Sequence, residues 1–132
     1  MKATASYPAD VRDDLAAVLG ALADGRQFTT EDLAINLGGA LGRVRGALQL
    51  LRAANVVSFT TRWHGRNQGY ARLWSFTGPG AVHLWEPVQN GRHRRLYVDR
   101  GEAINAARRA MGPAAEARPV ALLINARGML GR

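Results

Sequence analysis

Residues 29–55 read TTEDLAINLGGALGRVRGALQLLRAAN, and this stretch decides the fold of the chain. Thr29, with Asp32 three residues later, is a near relative of a helix capping box and predicts that a short helix begins here. The Gly38–Gly39 pair interrupts the apolar pattern and provides the tight turn that a second helix needs in order to cross the first. A longer helix is expected to follow over residues 40–54.

The helix expected over residues 40–54 has two different faces. Apolar side chains recur at offsets of three and four, the spacing of one side of a helix, and predict its buried side. They are Leu41, Val44, Ala47, Leu48 and Leu51. The opposite flank carries a polar stripe formed by Arg45, Gln49 and Arg52. A solvated face is the ordinary explanation of such a stripe, but the preceding helix and turn favour a binding surface.

Further elements are predicted on both sides of these two helices. An apolar stripe within residues 11–22, with an acidic first turn, predicts an earlier helix that ends at Asp24–Gly25. Downstream, two runs rich in β-branched and aromatic residues predict strands at 56–63 and 70–76. The loop between them is polar and basic, so we expect a hairpin with Arg66 at its tip.

The charge of the chain is distributed unevenly. The net charge is +8, and all eighteen basic residues except Lys2 are arginine. A GC-rich genome also produces many arginines, so their placement is more informative than their number. No acidic residue occurs between Asp32 and Glu86, whereas six arginines do. They are Arg43, Arg45, Arg52, Arg62, Arg66 and Arg72. Each arginine that meets a phosphate releases a condensed counterion, so this segment favours a nucleic acid as partner.

Composition narrows the classes of function. A chain of 132 residues, 47% of them hydrophobic, suits one domain with a packed core. No apolar run has the length of a transmembrane helix, and residues 1–5 contain no apolar signal region, so we expect a cytoplasmic protein without membrane contact. The absence of cysteine excludes disulfides, thiolate catalysis and cysteine-ligated zinc.

We expect neither enzymatic activity nor a bound cofactor or metal. The three histidines, His64, His83 and His93, lie too far apart for a local metal motif. No nucleophile elbow and no phosphate-binding loop occurs in the sequence. The acidic residues show no pairing typical of acid–base catalysis.

The order of the predicted elements resembles that of winged helix-turn-helix domains in prokaryotic and phage transcription regulators, over residues 10–77. The resemblance is carried by Phe28–Ala34 at the start of the second helix, by Leu48–Leu51, and by Asn55–Val57 after the third helix. Family members usually have glycine where this chain has Asn55, and asparagine also tolerates the left-handed conformation. The resemblance implies an α+β fold, with three helices and a β-hairpin wing. We expect residues 78–132 to add a C-terminal α/β extension.

The resemblance also implies a mode of binding to double-stranded DNA. In the family, the third helix enters the major groove, and the wing reaches the backbone or the minor groove. Arg45 and Gln49 are the candidates for base contacts, because arginine can pair with guanine and glutamine with adenine. The candidates for backbone and wing contacts are Thr29, Thr30, Arg43, Arg52, Arg62, His64, Arg66 and Asn67. Ordinary structural roles are expected for Arg72 (solvation) and for Trp63, Trp74 and Phe76 (packing).

Residues 78–132 carry weaker signals. Two strand-like runs, at 81–85 and 96–98, are separated by an Asn90–Gly91 turn signal and predict a hairpin. A compact basic cluster lies in the same segment, and a solvated loop and a phosphate contact explain it equally well. This secondary patch consists of Arg92, Arg94 and Arg95.

The last third of the chain is expected to contain one more helix. Asp99 begins a capping-box pattern, and the helix should extend to about Met111. Residues 114–119 are rich in alanine and proline and are expected to form a linker. Residues 120–124 are either a final strand or a dimer contact, and the tail at 127–132 is expected to be mobile.

Two classes of function remain open. The first is a DNA-binding transcriptional regulator, with a tail at 1–9, a domain at 10–77 and an extension at 78–132. Because most helix-turn-helix proteins bind paired half-sites, we expect the extension to form a homodimer. The second is a basic winged-helix interaction module that binds RNA or a protein partner in a nucleoprotein assembly. A pure protein-binding module would show no steep dependence of DNA binding on salt.

Overall fold

The computed structural model describes residues 10–63, 65–66, 69–88, 95–125 and 130–131. These residues form an α+β fold with four α-helices and two small antiparallel sheets. Within the described ranges, no helix combines the length and the apolar character needed to cross a membrane.

Three helices pack together in the first half of the chain. They are α1 (Val11–Leu22), α2 (Thr30–Leu37) and α3 (Leu41–Ala53). Asp10 caps α1 by accepting a hydrogen bond from the Arg12 amide, and Thr29 caps α2 by accepting one from the Asp32 amide at 3.1 Å. Leucines from all three helices are fully buried at their common centre, as the apolar periodicity predicts. These leucines are Leu15, Leu19, Leu22, Leu33, Leu48 and Leu51.

The breaks between these helices follow the predicted signals. A short 3-10 turn at Ala23–Gly25 follows α1, and Gly38 ends α2 in the left-handed conformation, with φ 61°. Asn55 follows α3 with φ 62°, which confirms that asparagine takes the left-handed position here. The chain therefore reverses direction at residues that accept a positive φ at low cost.

The first sheet contains the predicted hairpin. Its strands are β1 (Phe28–Thr29), β2 (Val57–Trp63) and β3 (Tyr70–Phe76), in the order β1-β3-β2. The register pairs Phe59 with Trp74 and Trp63 with Tyr70. Because side chains alternate along a strand, these four aromatic residues lie on one face of the sheet. Trp74 is buried in the core, so this is the face that packs against the helices.

The second sheet and the last helix form the C-terminal half. The elements are β4 (Gly80–Pro87), α4 (Arg100–Met111), β5 (Ala117–Ile124) and β6 (Leu130–Gly131), and the sheet order is β4-β5-β6. Asp99 caps α4 by accepting a hydrogen bond from the Glu102 amide at 3.0 Å, as the sequence predicts. Within α4 it is Ala103 and Ala107 that are buried.

The hairpin predicted from residues 81–85 and 96–98 is confirmed at one pair only, where Trp85 and Tyr97 exchange two backbone hydrogen bonds of 2.8 Å. β4 pairs along its whole length with β5, and Tyr97 contributes only an isolated bridge to Trp85. The long pairing is favoured because it places Val82 opposite Leu122 and buries both side chains on one face. Because a strand has two edges, β4 pairs with β5 and also carries the bridge to Tyr97.

Two further expectations for this half need correction. Residues 117–119 do not form a linker, because they are the first residues of β5. The expected mobile tail contains β6, whose Leu130 pairs with Ile124. The Asn90–Gly91 turn and the rest of the tail, like residues 1–9, lie outside the described residues.

One continuous core joins the two halves. Val56 and Val57, at the start of β2, belong to the same buried cluster as Val82 and Leu84 of β4. The backbone of Gly80 passes so close to the end of α3 that a β-carbon there would lie 2.7 Å from the carbonyl oxygen of Ala54. The second sheet is therefore packed directly against the end of the helix that carries the polar stripe.

Candidate nucleic-acid interface

The polar stripe of α3 lies on its exposed side. Arg45, Gln49 and Arg52 are all exposed, whereas Val44, Ala47, Leu48 and Leu51 on the opposite side are buried. The predicted division of the helix into a core face and a solvent face is confirmed. Arg45 and Gln49 are thus accessible to a partner without any rearrangement of the helix.

Arg45 and Gln49 line an open groove between α3 and β3. The groove has a volume of about 710 Å³, and the start of α2 forms one of its walls. β3 contributes the opposite wall through Tyr70, Arg72 and Trp74. The two candidates for base contacts therefore share one concave surface with the inner face of the hairpin.

The α2 wall of the groove is polar and acidic. The hydroxyl of Thr29 accepts the capping hydrogen bond of α2, and the hydroxyl of Thr30 accepts a hydrogen bond from the Trp74 indole N–H at 2.9 Å. Glu31 and Asp32, which also line the groove, are exposed. Both threonines therefore hold structural hydrogen bonds, and the neighbouring carboxylates disfavour a phosphate at this wall.

Two arginines converge on one aromatic ring beside the groove. The guanidinium carbon of Arg52, from α3, lies 4.7 Å from the centre of the Phe59 ring, and that of Arg72, from β3, lies 4.4 Å from it. The Trp74 ring lies 4.9 Å from the same ring. We call these four residues the Phe59 cluster.

The Phe59 cluster presents two positive charges from different elements at one place. An arginine stacked on an aromatic ring keeps its donor edge available for a phosphate, and stacking limits the conformational freedom that binding would otherwise remove. Arg52 and Arg72 are exposed, so both guanidinium groups are accessible. The cluster therefore places two exposed guanidinium groups side by side at the junction of α3 and the hairpin.

Arg43 has a different role from the five other arginines of the acid-free segment. It donates hydrogen bonds from Nε (3.2 Å) and from a terminal nitrogen to Asp14 of α1, and both side chains are partly buried. These hydrogen bonds raise the pKa of Arg43 against the opposing effect of burial. Arg43 thus joins α3 to α1 and is already occupied by a protein carboxylate.

The remaining wing candidates are distributed over the hairpin. Arg62 is exposed but, by alternation, lies on the opposite face of the sheet from Phe59 and Arg72. Arg66 is exposed in the loop between β2 and β3. Trp63 and Tyr70 form an edge contact next to this loop, with their ring centres 5.0 Å apart.

Several predicted site residues lie outside the described part of the chain or away from the groove. His64 and Asn67 of the wing, and Arg92 and Arg94 of the secondary patch, are outside the described residues. Arg95 is exposed in the segment that connects β4 to α4. The structure therefore brings together Arg45, Gln49 and Arg52, and of the secondary patch it describes Arg95.

Glu31 and Asp32 line the groove, but in the part of the chain that the structure describes they form no ion pair with its arginines. Within the described ranges, the ion pairs are Arg43–Asp14 and Arg118–Glu86, and neither involves an arginine of the groove or of the Phe59 cluster. In the same ranges, no group of histidine, aspartate and glutamate side chains has the arrangement needed to hold a metal ion.

Sequence reasoning missed three residues of this surface: Phe59, Arg72 and Tyr70. Arg72 was expected to be an ordinary solvated residue, but it shares the Phe59 ring with Arg52. The alternation Tyr70-x-Arg72-x-Trp74 placed all three on one face and was the available signal. What it did not reveal was the register with β2, which sets Phe59 opposite Trp74 and within reach of Arg72.

Comparison of the chain with protein-family models, with curated proteins and with solved structures found no match.

Proposed function

We propose that this chain is a DNA-binding transcriptional regulator of the winged helix-turn-helix class. Helix α3 inserts into the major groove of double-stranded DNA, and the β2–β3 hairpin contacts the backbone as a wing. The single observation that carries this proposal is the convergence of Arg52 and Arg72 on Phe59 beside the exposed Arg45 and Gln49. Such a surface combines cations for phosphates with side chains suited to base edges.

The topology of the first half supports the same proposal. The elements follow one another as α1, β1, α2, α3, β2 and β3, and the first sheet has the order β1-β3-β2. This is the order that the resemblance to winged helix-turn-helix domains implies. A protein that regulates transcription in a prokaryotic cell works in the cytoplasm, which agrees with the location expected from the sequence.

Each side chain has a distinct role in the proposed complex. Arg45 and Gln49 contact base edges, because they line the groove from the exposed side of α3. Arg52 and Arg72 hold phosphates, and Arg66 reaches the DNA from the loop of the wing. Arg43 is not part of the interface that we propose, because Asp14 already occupies its guanidinium group.

The C-terminal half is proposed to join two copies of the chain. Leu123 of β5 and Met111 of α4 are large hydrophobic side chains that remain exposed there. A symmetric dimer would place two α3 helices at half-sites about one helical turn of DNA apart. Sedimentation equilibrium tests this part of the proposal, and a monomer at high protein concentration would refute it.

Selection of bound duplexes from a random pool is the experiment that tests the proposed function. The selected duplex and a scrambled duplex are then titrated with the wild type, with Arg45→Ala and with Arg52→Ala. Arg45→Ala should lose about 1–3 kcal/mol of binding free energy on the selected duplex and much less on the scrambled duplex. Arg52→Ala should weaken both and lower the dependence of log K on log salt by about one unit.

Arg109→Ala is the matched control, because it removes an exposed positive charge of α4, away from the groove. It should change binding far less than Arg52→Ala. Equal binding to all duplexes, with no response to Arg45→Ala, contradicts sequence-specific recognition. Stronger competition by structured RNA than by duplex DNA would favour the alternative of an RNA-binding module.

A further inference from the structure

An exposed pair of aromatic rings lies at the outer end of the hairpin. Trp63 is 58% exposed and Tyr70 is 71% exposed, although both are large and mostly apolar side chains. Their rings meet at an interplanar angle of 63°, so the edge of one ring points at the face of the other. This arrangement uses only part of the ring surface, and the remainder is open to solvent.

The aromatic pair belongs to the same surface as the proposed DNA contacts. The sheet register puts Trp63 and Tyr70 on the face that also carries Phe59 and Arg72. Tyr70 in addition lines the groove that contains Arg45. The aromatic surface therefore continues the basic surface outwards, with no carboxylate in the sequence between Asp32 and Glu86.

The chemistry of this surface fits a nucleobase as well as a phosphate. Aromatic side chains bind bases by stacking, but the faces of paired bases inside a duplex are covered by their neighbours. Trp63 and Tyr70 can therefore stack only on a base that has left the duplex. Glu31 and Asp32 in the groove repel phosphate but can accept hydrogen bonds from base amino groups.

We propose that the Trp63–Tyr70 pair stacks on an unpaired DNA base, so that the chain binds most tightly where a duplex is locally open. The Phe59 cluster holds the neighbouring phosphates while the base leaves the stack and meets the aromatic rings. Unpairing a base costs least free energy at a mismatch and where a duplex meets a single-stranded region, so these are the favoured binding sites. The inference rests on the proposed function, because it requires that the chain bind DNA.

The alternative explanation is that the pair only stabilises the hairpin. Cross-strand aromatic pairs do stabilise sheets, and Trp63 and Tyr70 are directly opposite each other in the register. A structural role alone would make any loss of binding equal for all DNA forms. A role in stacking would make the loss specific to DNA with unpaired bases.

The test compares a fully paired duplex with the same duplex carrying a short internal run of mismatches. Wild type should bind the mismatched duplex more tightly. Trp63→Thr and Tyr70→Thr keep a residue suited to a strand and should each weaken binding to mismatched DNA by about 5-fold to about 150-fold, with little change on the paired duplex. Arg52→Ala is the contrasting variant and should weaken binding to both duplexes by a similar factor.

Tryptophan fluorescence gives a second, independent measurement. Stacking of a base on an indole should quench Trp63 when mismatched DNA is added to the wild type. Trp63→Phe keeps a stacking ring, so it should retain most of the affinity but lose this quenching. The Trp63→Phe variant keeps Trp74 and Trp85, so any quenching that it still shows measures the contribution of these two residues. If Trp63→Thr proves unfolded by circular dichroism, Trp63→Phe and Tyr70→Thr carry the test.

The outcomes separate this inference from the proposed function. Equal binding of the wild type to both duplexes, or an equal loss on both in the threonine variants, overturns the stacking role and leaves the regulator proposal standing. Tighter binding to single-stranded RNA of the same sequence than to mismatched DNA overturns the commitment to DNA. Absence of salt-dependent binding to any DNA overturns both proposals.

Discussion

Gly80→Ala is expected to destabilise the fold, because the start of β4 leaves no room for a methyl group. A β-carbon at Gly80 would lie 2.7 Å from the carbonyl oxygen of Ala54 and 2.8 Å from a methyl carbon of Val56. The first atom belongs to the backbone at the end of α3, and the second to a fully buried side chain. Neither atom is at the free end of a flexible side chain, so the backbone of β4 must shift.

The size of the effect follows from two opposing contributions. Overpacking a close-packed site costs about 1–3 kcal/mol. Replacing glycine by alanine also restricts the unfolded chain, which stabilises the fold by about 0.4–1 kcal/mol. The net loss should be about 1–2 kcal/mol in the free energy of unfolding. For a chain of 132 residues, this lowers Tm by about 4–8 °C.

Gly20→Ala is the matched control, because it makes the same chemical change where there is space. Gly20 is exposed in α1, and an added β-carbon would meet no atom within 4 Å. The free energy of unfolding of this variant should be about 0.5–1 kcal/mol higher than that of the wild type. Urea denaturation measures both variants, with the slope of the transition checked for two-state unfolding. A Gly80→Ala chain as stable as the wild type would show that β4 does not pack tightly against the end of α3.

Two other substitutions test contacts that hold the helices in place. Asp14→Ala should lower the free energy of unfolding by about 1–2 kcal/mol more than Asp13→Ala. Both acids lie in the first turn of α1, but only Asp14 pairs with Arg43. Equal losses of stability in urea denaturation would contradict this role. At the Asn55 φ of 62°, glycine has no β-carbon to strain, so Asn55→Gly should be neutral or stabilising in the same assay. Asn55→Ala should lower the free energy of unfolding by about 1 kcal/mol, because alanine lacks the short polar side chain that lets asparagine adopt the left-handed conformation. A stable Asn55→Ala variant would argue against the left-handed turn.

The first half of the fold was predictable because its signals are local. Thr29 sits within one turn of the amide that it caps, and the Gly38–Gly39 pair breaks the chain where it stands in the sequence. The two faces of α3 follow from a period of 3.6 residues, which the sequence displays directly. Such signals involve residues no more than a few positions apart, so they need no knowledge of the tertiary structure.

The second half was less predictable because its contacts are distant in sequence. β4 pairs over its whole length with a strand about forty positions away, and it meets the nearer run at 96–98 only in the bridge between Trp85 and Tyr97. Nothing in the local pattern predicts the longer pairing. The same limit applies to the ion pair between Asp14 and Arg43, which are 29 positions apart. Composition identified the acid-free segment, but only the packing showed that one of its arginines is already paired.

The hairpin shows how one face of a sheet can change from core to binding surface along its length. At the inner end, Val57 and Trp74 are buried against the helices. Phe59, farther along, is half-buried, and its ring contacts Arg72 and Arg52. Beyond it, at Trp63 and Tyr70, the aromatic residues of this face are exposed. Because side chains alternate strictly along a strand, the pattern that buries Trp74 also directs Arg72 to the groove and the aromatic pair to the open end. A residue inserted into β3 would reverse this face, and the core and the proposed interface would be lost together.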